Sequence, residues 1–211
     1  MSNKQPSEGK DITVYFDATR CIHSGNCVRG LPAVFRAGVE GEWIFPDAAG
    51  VDELAALIET CPSGALTFDL RNGLREKKPD RNTITVEADG PLVVHADFSL
   101  NDEEQDSCRA TLCRCGASQN KPWCDGTHKQ IGFSDAGDVQ IFNPEAELPS
   151  GPLKIRTIKN GPLFLEGPHR ICNANGETAR MDTRIGLCRC GASKSKPYCD
   201  GSHAAIGFQA D

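Results

Sequence analysis

The sequence predicts an α+β chain in which a small N-terminal α+β unit precedes two mainly-β repeats packed as a pseudo-twofold pair. Three observations predict it. Residues 112–128, LCRCGASQNKPWCDGTH, return at a constant offset of 75 as residues 187–203, LCRCGASKSKPYCDGSH. Each copy is preceded by β-rich runs on either side of an Asp-Gly or Asn-Gly turn. Residues 11–70 instead mix short β-rich runs with one helical stretch. Two repeats are too few for a solenoid, so the expected arrangement is a monomer that imitates a homodimer within one chain.

The elements follow in order. Ile12 to Phe16 suits a strand, Glu42 to Phe45 a second, Asp52 to Glu59 a helix capped by Asp52, and Ala65 to Leu70 a third strand after Cys61-Pro62. The polar stretch 71–81, RNGLREKKPDR, reads as a linker. The expected domains are therefore 1–70, 82–148 and 149–211, the last two being the repeats. TITVEADGPLVV and KIRTIKNGPLFLE are hairpins turning at Asp89-Gly90 and Asn160-Gly161. Gly90-Pro91-Leu92 matches Gly161-Pro162-Leu163 at an offset of 71, which leaves four more residues between hairpin and motif in the second copy. NDEEQD at 101–106 is expected as a solvated acidic loop.

Composition narrows the function. At 211 residues the chain has room for one large domain or two small ones, and its 38% hydrophobic residues plus 21 glycines are ordinary for a globular protein. No apolar run approaches the ~18–20 residues that cross a bilayer, and the start MSNKQPSEGKD has no leader-like pattern. The expectation is a soluble, cytoplasmic protein with no membrane partner. A net charge of -6 offers no basic surplus for a phosphate backbone, so nucleic acid is not expected either. Eleven cysteines, an odd number without a secretion signal, point to metal or cluster ligation rather than disulfides.

The repeated motif has the spacing C-x-C-x8-C-x3-H: Cys113, Cys115, Cys124 and His128, then Cys188, Cys190, Cys199 and His203. In extended chain, residues two apart share a face, so Cys113 and Cys115 can address one metal ion. If Asp125 or Thr127 starts a helical turn, Cys124 and His128 share a helical face and can address a second. Spacing alone leaves a closed Cys3His zinc site open, because zinc accepts the same four ligands.

The pattern C-R-C-G-A-S-x3-P-[WY]-C-D-G-[ST]-H resembles the CDGSH iron-sulfur domain family, over residues 81–211, in the tandem arrangement of its monomeric, mitoNEET-related members. The resemblance implies one [2Fe-2S] cluster per motif, held by the three cysteines and the histidine of each copy. One neutral imidazole in place of a thiolate raises the reduction potential and makes the ligand set protonatable, so acid is expected to loosen the cluster. Arg114 and Arg189, between the paired cysteines, are expected either to balance the cluster charge or to lie exposed on the loop. Trp123 and Tyr198 are expected either to shield the clusters or to pack ordinarily. Cys108 and Cys172 have no cysteine counterpart at either offset and are expected as buried or free thiols; His95 and His169 likewise read as structural or surface residues.

In the first unit, CIHSGNC at 21–27 and the remote Cys61-Pro62 match the ferredoxin spacing C-x2-C-x2-C with a distant Cys-Pro, Ser24 standing where the middle cysteine would be. Over roughly residues 10–70 this is similar to the divergent mono-cluster ferredoxin-like domains. It implies that Cys21, Cys27 and Cys61 hold a third cluster. That cluster would be [3Fe-4S], or [4Fe-4S] with a fourth ligand from His23, Ser24 or solvent; the alternative is a domain whose thiols no longer bind iron. No nucleophile-base motif, phosphate loop or nicotinamide fingerprint is visible, so the chain is expected to be a carrier of single electrons and not an enzyme. The rivals are a cluster trafficking or redox-sensor protein and a zinc-stabilised interaction module. Its partners are expected to be redox proteins or apo cluster acceptors.

Overall fold

The structure is a computed structural model that describes residues 4–211. Residues 1–3, which belong to both the 1–70 domain and the leader reading, lie outside the described residues. Two compact units divide the chain, Met1–Lys77 and Lys78–Asp211. Strands predominate: the chain has eleven short β-strands and four α-helices of at most nine residues among the described residues.

The first unit has a three-stranded antiparallel sheet in the order β1 (Gln5–Glu8), β2 (Ile12–Phe16), β3 (Leu66–Leu70). Alternation along β2 buries Ile12 and Val14, and these meet Leu66 and Phe68 of β3 in one core. Helix α1 (Asn26–Gly30) precedes α2 (Val51–Glu59), whose Leu54 and Ile58, one turn apart, fill the same core. The cap of α2 is Gly50, without a side-chain bond, and not Asp52. Asp52 lies inside the first turn with Glu53, where a carboxylate opposes the positive end of the helix. The strand expected at 42–45 is also absent. Ile44 makes only an isolated bridge to Phe35, flanked by Arg36 N–H to Trp43 C=O and Phe45 N–H to Val34 C=O. Gly38 and Gly41, at φ +76° and +86°, turn the chain too tightly for a longer ladder. Residues 71–77 turn back on β3, with an Asp69–Arg75 bridge.

The second unit contains both repeats in one sheet. Its strands are β4 (Thr83–Val86), β5 (Leu92–His95), β6 (Phe98–Leu100), β7 (Glu103–Glu104), β8 (Arg109–Leu112), β9 (Leu153–Thr157), β10 (Leu163–Cys172) and β11 (Thr178–Leu187). The order is β7-β6-β9-β10-β4-β5-β8, with β11 also on β10. The expected hairpins are β4–β5 and β9–β10, and their turns carry Asp89 and Asn160 at φ +50° and +54°. Residues 101–106 are the solvated acidic segment expected, and they form a tight turn into β7: Asn101 and Asp102 take left-handed φ values, and Glu103–Glu104 pair with Ser99–Leu100.

The strands of the two repeats interleave. β6 of the first repeat runs parallel to β9 of the second, and the far end of β10 runs parallel to β4. The pairs Ser99↔Lys154 and Leu100↔Ile155, shifted by the repeat offset of 71, become Arg170↔Thr83 and Ile171↔Ile84. Both sets of strands bury side chains in one core that includes Ile84, Leu92, Ala110, Leu112, Ile155, Leu163 and Leu187. Among the described residues, no helix is long and apolar enough to cross a membrane.

This shared core makes a stability prediction. Leu163 is fully buried in β10, so Leu163→Ala is expected to cost about 2–5 kcal/mol in chemical denaturation of the full chain. Ile141, 71% exposed, serves as the control, and its alanine variant should stay within about 0.5 kcal/mol of the parent. Equal effects would show that the shared core does not hold in solution.

Candidate metal centres

Strand β8 leads directly into Cys113-Arg114-Cys115, and β11 into Cys188-Arg189-Cys190. The loop after each pair folds back on its strand: Cys113 N–H donates to Pro122 C=O at 2.8 Å and Cys124 N–H to Thr111 C=O at 2.9 Å. The second repeat repeats this with Cys188 to Pro197 and Cys199 to Gly186. Gly126 and Gly201, both left-handed, then start α3 (Thr127–Gln130) and α4 (Ser202–Ala205). Thr127, not Asp125, therefore opens the helical turn, and each histidine falls one turn after its cysteine.

Non-ligand letters of the motif build this loop. Ser118 Oγ donates to Trp123 C=O at 2.7 Å and accepts from Asn120 N–H; Ser193 does the same with Tyr198 and Ser195. Asp125 accepts from the backbone N–H groups of Gln119 and Thr127, and Asp200 from those of Lys194 and Ser202. Burial alone would raise Asp125, but these bonds outweigh it and hold the carboxyl below its usual range; Asp200 is held low by its bonds from Lys194 and Ser202. The sequence reading passed over these residues, although their identity in both copies was a usable signal.

The donor atoms fit the implied clusters. Cys113 Sγ lies 3.7 Å from Cys115 Sγ, and Cys188 Sγ lies 3.8 Å from Cys190 Sγ. Two sulfurs on one tetrahedral metal, each at about 2.3 Å, stand about 3.8 Å apart. Cys124 Sγ to His128 Nδ1 is 3.3 Å and Cys199 Sγ to His203 Nδ1 is 3.4 Å, close to the edge of about 3.6 Å for a mixed sulfur–nitrogen pair. The histidines thus present Nδ1. Cys113 and Cys115 share a hydrogen bond which, with burial, holds Cys113 up, while the same bond holds Cys115 down. A metal held by the two thiols would displace that shared proton. Burial pushes Cys124 up to about 11. Burial, aided by Lys129, holds His128 below the ordinary imidazole value, which favours the neutral ring. The two centres differ in access, for Cys124 and His128 are buried while Cys199 and His203 are half-buried.

Neither arginine lies exposed on the loop; both are 1% exposed. Alternation along the strand sends their guanidinium groups away from the thiols. Arg114 donates to the carbonyls of Gly90 and Glu87 and to Asp135, while Arg189 donates to those of Gly161, Ile158 and Asp211. Each arginine therefore ties the motif to its own repeat's hairpin turn and trailing segment, and lies over Phe133 or Phe208. Burial lowers Arg189, and the Asp211 carboxylate opposes this. Trp123 and Tyr198 pack on the shared core, their backbones bridged to Leu112 and Leu187. Cys108 and Cys172 are buried, and none of the eleven cysteines forms a disulfide. His95 is exposed; His169 is buried, its Nδ1 2.8 Å from Gly167 C=O.

In the first unit, Cys21, Cys27 and Cys61 line one cavity of about 450 Å³ together with His23, Ser24 and Ser63. Cys21 follows a 3-10 turn capped by Asp17, Cys27 lies in α1, and Cys61 follows α2. Asn26 Nδ2 donates to Thr60 C=O at 2.9 Å, fastening α1 beside the end of α2. Burial raises the thiols of Cys21 and Cys27, and repulsion from Cys61 adds to it. His23, at φ +54°, donates its N–H to Cys21 Sγ at 3.4 Å.

Comparison with known proteins agrees with this division. A family model described as divergent 4Fe-4S mono-cluster matches residues 7–70, and one described as iron-binding zinc finger, CDGSH type, matches 89–129 and 160–204. The chain is 47% identical over 60 residues to the uncharacterized protein YjdI of Escherichia coli strain K12, and equally to that of E. coli O157:H7. Each alignment covers 28% of this chain and 78% of the relative. No solved structure matches.

The buried guanidinium groups make a direct prediction. Arg114→Leu removes the donor to Gly90 C=O and the second donors to Glu87 C=O and Asp135, which keep the N–H groups of Gly90 and Gly137. It also leaves the half-buried Asp135 charge unpaired, and a loss of about 3–5 kcal/mol in stability is expected. Arg114→Lys should not restore it, since an ammonium lacks the planar fork that spans all three acceptors. Full recovery in the lysine variant, measured by chemical denaturation, would show that charge alone suffices.

Proposed function

Because the chain belongs to the CDGSH-type iron-binding proteins, with two such motifs following a divergent 4Fe-4S mono-cluster domain, we propose that it is a multi-cluster carrier of single electrons. In this reading each motif holds a [2Fe-2S] cluster and the first unit, read as ferredoxin-like α+β, holds a [3Fe-4S] or [4Fe-4S] cluster. When bound, such clusters supply one-electron oxidation and reduction. The observation that carries the reading is the division of each donor set into two pairs, each spanning one tetrahedral edge. Two pairs suit two metal ions per motif, where a lone zinc ion would draw all four donors together.

The chain's own groups suit the task. Backbone N–H groups of Gly116 and Ser118 are directed at Cys113, and those of Gly191 and Ser193 at Cys188, where they stabilise negative charge on sulfur. Cys113, Cys124 and Cys188 are at most 2% exposed, which keeps water from one side of each centre. Cys115, Cys190, Cys199 and His203 are half-buried and give a partner a short path. The reciprocal strand pairs support a pseudo-twofold relation between the repeats. Redox proteins are the proposed partners, the cytoplasm the proposed setting, and no catalytic step is assigned. The exposure of Cys199 and His203 favours a second reading, delivery of a cluster to an apo acceptor.

Two outcomes test this. Protein prepared without oxygen should carry about seven or eight irons with about eight acid-labile sulfides. Changing Cys21, Cys27 and Cys61 together to Ser should remove three or four of these and leave about four. Stoichiometric zinc with no visible absorbance would refute the cluster reading, and an unchanged iron count in the triple variant would remove the third cluster. Separately, His128→Cys with His203→Cys adds one negative charge per centre and should lower both reduction potentials in protein-film voltammetry; unchanged potentials would show that these imidazoles are not ligands.

A further inference from the structure

Cys115 and Cys190 hold equivalent places in the two repeats and face each other as an isolated antiparallel bridge. The glycines after them close the contact reciprocally. A Cβ at Gly116 would stand 2.4 Å from the Cys190 carbonyl oxygen, and one at Gly191 would stand 2.4 Å from that of Cys115. Backbone atoms on both sides leave no room for a side chain. Both glycines are also left-handed, at φ +82° and +81°. Each of these ligand cysteines therefore has its backbone position set partly by the other repeat. The exchanged strands, β6 on β9 and β10 on β4, are a second tie between the same two halves.

We propose that the two metal centres of the second unit are coupled through the Cys115–Cys190 bridge, so that filling one strengthens the hold of the other. The proposal rests on the repeats being metal centres, whether the metal is iron or zinc. Binding requires ordered ligands. Once the first centre is filled, Cys115 and Gly116 are fixed, and they form the surface against which Cys190 and Gly191 settle. The ordering cost of the second centre is then partly met in advance. Linkage makes the effect reciprocal, and couplings of this kind change affinity by about 5- to 150-fold.

The test uses the full chain with Cys21, Cys27 and Cys61 replaced by Ser in every sample, so that all metal measured belongs to the repeats. Release to excess chromogenic chelator is followed with metal per chain and the visible spectrum. Cys199→Ser with His203→Ala disables the second centre but keeps Cys190 and Gly191. The remaining centre should then release its metal about 5-fold or more faster than the chain with both centres. If its rate instead appears unchanged as one phase of release from that chain, the centres are independent and the proposal fails. Gly191→Ala, added to the disabled background, should speed release further and shift the spectrum of the first centre. Gly176→Ala is the control: it has the same φ of +81° in the same repeat, with nothing within 4 Å, and should change neither. Equal effects from the two alanines, or none, would also overturn the proposal. If Gly191→Ala does not fold, the comparison of release rates decides. Zinc-only protein with coupled release would defeat the cluster reading and leave the coupling standing; cluster-loaded protein with independent release would do the reverse.

Discussion

An extended chain sends successive side chains to opposite faces, and at Cys-Arg-Cys that alternation organises the duplicated unit. Two thiols face one way at the separation a single metal requires, while the guanidinium between them faces the other way. A buried arginine is costly unless its donors are met, so the hairpin turn and trailing segment of each repeat must close around it. The hairpin turn does so with backbone carbonyls in both repeats, while the trailing segment offers the Asp135 carboxylate to Arg114 and backbone oxygen at Asp211 to Arg189. The same residues thus serve both requirements, because ligand placement on one face fixes what must be built on the other.

The intervening loop meets the second requirement, bringing a cysteine and a histidine to the far side of the centre. Its serine and aspartate occupy donors and acceptors that would otherwise be unpaired, and a left-handed glycine turns the chain into a single helical turn. One such turn suffices, because residues four apart on a helix share a face. Most letters of the motif are therefore structural, and only four in each copy offer donor atoms to the proposed centre.

Duplication adds what one copy lacks. A β-hairpin with a neighbouring short strand leaves hydrogen-bonding edges open, and the two repeats cover these by exchanging strands in the same register. Their apolar faces merge into one core. The first unit solves a smaller version of the problem, using two helices held together by Asn26 to gather three cysteines around a cavity beside its own core.

Both hairpins, the helix expected at 52–59 and found at 51–59, the third strand of the first unit and the pairing of donor residues within each motif were legible in the residues, because spacing, turn chemistry and periodicity are local properties. The hairpin turns at Asp89-Gly90 and Asn160-Gly161 needed nothing beyond the residues that favour them. The strand at 42–45 and the cap at Asp52 were misread, since a ladder depends on how long its partner runs and a cap on where the preceding loop arrives. The arginines were expected beside the cluster charge or exposed on the loop for a related reason: nothing local records that a turn 24 residues upstream of Arg114, and 28 upstream of Arg189, supplies their acceptors. The exchange of strands and the meeting of Cys115 with Cys190 were decided only in three dimensions. Both join residues more than 50 positions apart, and no local preference records which distant edge a strand will find.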